Sequence, residues 1–71
     1  MNIFILYQEI DTGDAYIDEA IGVYDSPEKA MESLSRSGYT LKETSDGIWV
    51  IYRSGKFTDY SIERKSLNGR I

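Results

Sequence analysis

The chain is 71 residues long, with 12 acidic and 8 basic side chains for a formal charge of −4, and it has neither cysteine nor histidine. A chain this short forms one domain, here residues 1–71, and buries only roughly 60% of the surface that its unfolded form exposes. Disulfides and thiolate metal sites are excluded, and so is the side chain most often used as a general base near neutral pH.

The charge is unevenly spread. Residues 1–35 hold eight acids against Lys29 alone, whereas residues 36–71 hold seven bases against four acids. Such asymmetry steers a basic partner or aligns two copies of the chain, and a compact fold can also interleave the two halves on one surface.

Ile3 to Gln8 is almost continuously apolar, with β-branched and aromatic residues, which predicts a strand covered on both faces. This apolar start lacks a basic flank and runs straight into Glu9 and Asp11, unlike a secretory signal. No apolar run approaches the roughly 20 residues that span a bilayer. A cytoplasmic protein with no membrane partner is therefore the expectation, in keeping with the missing cysteines.

The segment "EIDTGDA" places Gly13 between Asp11 and Asp14 and predicts a turn. Ala15 to Tyr24 reads as a second strand, with Ile17, Ile21 and Val23 on one parity and Tyr16, Asp18, Ala20 and Tyr24 on the other. Glu19 interrupts the apolar face, so a bulge or an exposed strand end is expected near it.

"VYDSPEKAMESL" then marks a strand stopping and a helix starting. Ser26 is a natural N-cap, and Pro27 at the first helical position lacks only an N–H that would be orphaned anyway. Glu28 suits the positive end of the helix dipole. Pro27, Ala30, Met31 and Leu34 form the inward stripe. Gly38 is the expected C′ residue, with Arg36 in the last turn, so the predicted helix runs eleven residues. Its outer face, with Glu28, Lys29, Glu32 and Arg36, is that of an ordinary solvated helix.

Beyond Gly38, Tyr39 to Thr44 alternates as a strand does, and Ser45-Asp46-Gly47 forms a tight turn. Ile48 to Arg53 is the strongest strand signal, Ser54-Gly55-Lys56 the next turn, and Phe57 to Arg64 the last strand. There Tyr60 and Ile62 share one face, and Asp59, Ser61 and Glu63 the other. "KSLNGRI" is a polar tail in which Leu67 and Ile71 each offer a weak contact. The expected fold is α+β: an antiparallel sheet of four or five strands with one helix packed on one face, in the order β-β-α-β-β-β. The other sheet face is expected to be partly exposed and rich in aromatics.

No residue pattern specifies a reaction. "GxSxG", Ser-x-x-Lys and phosphate-cradling glycine loops are all missing from the sequence. Glu9, Asp11, Asp14 and Asp18 supply oxygens for a hard cation, but their spacing departs from a calcium loop, and acids that keep a hairpin soluble are the simpler reading. No catalytic, cofactor-binding or metal-binding residue is therefore assigned.

Binding draws on more features. The acidic cluster Glu9, Asp11, Asp14, Asp18 and Glu19 is suited to a protein partner with a basic surface. Tyr16, Trp49, Tyr52 and Tyr60 are the aromatic residues expected on the sheet face, and interfaces concentrate energy in such side chains. An unpaired outer strand also offers a route to a homodimer. The competing set, Arg53, Lys56, Arg64, Lys65 and Arg70 among aromatics, has the composition of a single-strand nucleic-acid surface. The acidic total, with Asp59 and Glu63 among those bases, weighs against nucleic acid.

At "IGVYDSPEKAMESL" the chain resembles a small group of uncharacterised bacterial and phage α+β domains. They open with an apolar strand and enter their helix through an "IGVY-x-S-x-E" signature, matched here by Ile3 to Tyr7, Ile21 to Tyr24 and Ser26 to Ala30. The resemblance covers about half the chain and brings no catalytic residue. It implies a miniature accessory protein of the kind phages carry to block a host or defence protein. The expected function is thus a non-enzymatic protein-binding module, a phage-encoded inhibitor acting in the host cytoplasm. Single-stranded nucleic-acid binding and a small self-assembling structural role are the alternatives.

Overall fold

A computed structural model describes residues 1–34 and 37–66. Its elements are β1 (Asn2–Asp11), β2 (Tyr16–Tyr24), α1 (Pro27–Glu32), β3 (Tyr39–Ser45), β4 (Ile48–Arg53) and β5 (Lys56–Ser66). The five strands form one antiparallel sheet, so the fold is α+β with a single short helix. Their order in space is β2-β1-β5-β4-β3, with the first and last strands paired at the centre.

Three tight hairpins and one crossover account for this order. Asp11 to Ala15 closes the first hairpin, with the Gly13 N–H donating to the Asp11 carboxylate at 2.8 Å and Thr12 exchanging bonds with Ala15. At Ser54-Gly55 both residues have positive φ, 56° and 76°, the geometry of a two-residue turn whose twist matches its strands. From the outer strand β2 the chain must travel to the opposite outer strand β3. It does so across one face, where α1 touches β1, β2 and β3. One crossover covers one face.

The helix begins as expected. The Ser26 hydroxyl accepts the Lys29 N–H at 3.1 Å and Pro27 opens the first turn. It is six residues long rather than eleven. The Ser33 hydroxyl donates to the Ala30 carbonyl at 2.7 Å, and the Leu34 N–H bonds to Met31 at 3.1 Å, tightening the chain out of the α-helix. Gly38 does adopt a positive φ, 89°, whereas Arg36 lies outside the described residues.

Leu6, Ala30, Ile51 and Ile62 are fully buried, one from each of β1, α1, β4 and β5. Phe4, Tyr24, Met31, Leu34, Tyr39, Leu41, Trp49 and Tyr60 pack around them. This core lies entirely between helix and sheet. β1 is therefore covered on one face only, contrary to the expectation from its continuous apolar run. Phe4 and Leu6 face the helix, while Ile3, Ile5 and Tyr7 face the other way and, among the described residues, are shielded only by neighbouring strands. The radius of gyration, 12.7 Å, exceeds the about 11 Å of a compact chain this long, as a one-sided sheet should.

β2 carries a bulge. Leu6 pairs with Gly22 but Tyr7 pairs with Ala20, leaving Ile21 as the extra residue, two positions from Glu19. The bulge reverses the parity of the strand. Val23 consequently shares its face with Ala20, Asp18 and Tyr16 rather than with Ile17. Among the described residues, no helix is long and apolar enough to cross a membrane.

Candidate functional site

The uncovered face of the sheet gathers side chains from all five strands. Two rows cross it in direct register: Val23, Ile5, Glu63 and Ile48, then Ala20, Tyr7, Ser61, Val50 and Lys42. Val23 is 60% exposed and Ile48 37%, large values for β-branched side chains in a sheet. Ser61, small and central, floors two adjoining depressions. The larger, about 340 Å³, is walled by Tyr7, Asp18, Ile48 and Glu63, and the second by Glu9, Asp18, Val50 and Asp59.

The acidic residues expected to act together separate into three places. Glu9 and Asp18 are direct cross-strand partners on the open face. Asp11 and Asp14 stand at the tip of the β1–β2 hairpin, and Asp11 is already engaged with the Gly13 N–H. Glu19 pairs with Gln8 and, alternating with Asp18, faces the helix side. All five are exposed, and among the described residues none forms an ion pair. Asp59 joins Glu9 and Asp18 from β5, where the chain pairing of first and last strands brings it.

The aromatic quartet is divided. Tyr52 lies on the open face against Phe57, ring centroids 4.5 Å apart, with the Lys42 ammonium 5.8 Å from the Tyr52 ring. Tyr16 is 69% exposed at the far end of β2. Trp49 and Tyr60 instead pack against the core, Trp49 edge-on to Phe4 at 5.6 Å and Tyr60 edge-on to Tyr39 at 6.4 Å. Alternation is the reason: Trp49 and Tyr52 are three apart on one strand and must point to opposite faces.

The basic residues are dispersed too. Arg53 and Lys56 flank the Ser54-Gly55 turn, Arg53 lying over the Tyr39 ring at 5.8 Å. Arg64 and Lys65 are about 26 Å further along β5 at strand spacing. There Arg64 bonds Asp46 at 3.0 Å and Lys65 pairs with Glu63 at 3.4 Å. Arg70 is outside the described residues. These bases form no continuous track for a phosphate backbone.

Ile5, Tyr7, Ile48, Val50 and Asp59 were not singled out from the sequence as site residues. The apolar parity of Ile3, Ile5 and Tyr7 carries the signal, but only the β1–β5 pairing reveals that none of the described residues lies over it. Among the described residues, no group of three or more acids, histidines or cysteines is placed to hold a metal ion. Comparison of the chain with protein-family models, with curated proteins and with solved structures finds no match.

Proposed function

We propose that this chain is a non-enzymatic protein-binding module that docks a partner's basic surface on the open face of its sheet. The observation that carries this reading is the set of apolar side chains Val23, Ile5, Ile48 and Val50 in two cross-strand rows, covered by no second layer among the described residues and bordered by Glu9, Asp18 and Asp59. Uncovered apolar surface costs about 25 cal/mol per Å² relative to burial, and a partner recovers it. Carboxylates at its border select a basic partner and speed encounter. The likeness of "IGVYDSPEKAMESL" to bacterial and phage domains gives this binding a biological form, an accessory inhibitor of a host or defence protein in the host cytoplasm.

The test is capture of bacterial lysate proteins on the immobilised full chain, beside Glu9→Lys/Asp18→Lys and Glu19→Lys forms. The expected result is a protein retained by the wild type and by Glu19→Lys, which alters the helix side, and lost with the double variant. Retention that ignores the open face removes the proposal. So does tight, salt-sensitive shifting of single-stranded DNA or RNA in a gel, which would favour nucleic acid instead.

A further inference from the structure

Three kinds of occupant suit an uncovered sheet: an added strand, a second copy of the chain, or a helix from another protein. An added strand pairs at the edge, at β2 or β3, and leaves Ile5, Ile48 and Val50 as bare as before. The Ile21 bulge also breaks the ladder that β2 offers.

A second copy laid face to face meets its own charge. Among the described residues, Glu9, Asp11, Asp18, Asp59 and Glu63 stand on this side of the sheet against Lys42 and Lys65, five acids to two bases for a net of −3 per copy. Glu9 and Asp18 already oppose each other within one chain, a pairing that disfavours bringing in more acids and favours bases.

What remains is a rod of opposite charge with an apolar side. α1 shows that a helix seats on this sheet, since it does so on the other face through Ala30 and Met31. Resting on the protein-binding reading above, we propose that the open face seats a basic amphipathic helix of a partner protein. Its apolar stripe lies on Ile5, Ile48 and Val50 and its Lys or Arg side chains reach Glu9, Asp18 and Asp59. Five strands at about 4.8 Å spacing make a platform about 24 Å wide, the length of about 16 helical residues.

The experiment uses the full chain and a fluorescein-labelled Leu/Lys peptide of about 18 residues with a helical apolar stripe. Its controls are the same composition scrambled to destroy the stripe, and a Leu/Glu counterpart. Anisotropy is expected to show the striped basic peptide binding at least about tenfold tighter than either control. The Glu9→Lys/Asp18→Lys and Val23→Asp forms are each expected to weaken it by about tenfold or more. Val23 is largely exposed, so that variant keeps its fold. Equal binding of the scrambled peptide, or undiminished binding by both variants, overturns the proposal. A dimer in light scattering that Val23→Asp dissolves also overturns it, because the face then belongs to a second copy. Peptide failure alongside face-dependent lysate capture removes only the helix, whereas loss of both removes the binding reading as well.

Discussion

Glu9 and Asp18 sit directly opposite each other across the β1–β2 ladder, two exposed carboxylates in one cross-strand pair. Facing residues in an antiparallel pair have their Cβ atoms about 5 Å apart, so like charges there repel. Among the described residues no base answers either of them. A sheet selected only for stability would place a lysine at one of the two positions.

Glu9→Lys is therefore expected to raise stability, by about 0.5 kcal/mol at low salt, by turning repulsion into attraction. Urea unfolding at low and high ionic strength checks this, with the gain shrinking as salt is added. The same substitution is expected to weaken binding of a basic partner. A variant that is more stable and binds less well is the signature of acids kept for recognition.

The two faces of the sheet should respond differently to substitution. Leu6 is fully buried under the helix, and Leu6→Ala is expected to cost about 2–5 kcal/mol, enough to unfold much of so small a domain. Val23→Thr, on the open face of the neighbouring strand, is expected to stay within about 0.5 kcal/mol of wild type. Circular dichroism melts of the two variants separate a one-sided core from a two-sided one. A large loss at Val23 would mean that this face is buried in the isolated protein.

Ser54 holds a positive φ of 56° in the β4–β5 turn, a conformation that asparagine and glycine adopt at less cost. Ser54→Asn is expected to gain about 0.5 kcal/mol. Chemical denaturation measures it as a higher midpoint at unchanged slope.

The Asp46-Gly47 tip is tied to β5 by two bonds and to β3 by a third. The Arg64 N–H donates to the Gly47 carbonyl at 2.8 Å, the Arg64 guanidinium reaches Asp46, and the Gly47 N–H donates to the Glu43 carboxylate at 3.3 Å. Asp46 is almost fully exposed, so Asp46→Ala is expected to cost under about 1 kcal/mol. Gly47→Ala is expected to cost more, about 1–2 kcal/mol. Its φ is +80°, and a Cβ there would stand 3.4 Å from the Arg64 side chain. Thermal melts of the pair rank backbone geometry against ion pairing at this turn.

Features that neighbouring residues settle among themselves are legible along the chain. The Ser26 cap with Pro27, the glycines of the turns, strand β4 from Ile48 to Arg53, and the alternation of Tyr60 and Ile62 against Asp59, Ser61 and Glu63 are of this kind. Each rests on hydrogen bonds or steric limits a few residues long. The helix is shorter than its apolar stripe predicts because the Ser33 hydroxyl takes the Ala30 carbonyl, a competition that the stripe does not reveal.

Tertiary structure alone decided which side chains form a surface together. Pairing β1 with β5 joined residues some fifty positions apart and brought Asp59 to Glu9. The Ile21 bulge brought Val23 beside Ala20, and strand alternation set Glu19 on the face opposite Asp18 and sent Trp49 and Tyr60 inward while leaving Tyr52 outside. The continuous apolar run of β1 anticipated two covers. A single crossover from one sheet edge to the other supplies one, and among the described residues nothing covers the other half, because β2 and β3 lie at opposite edges and the chain crosses between them once.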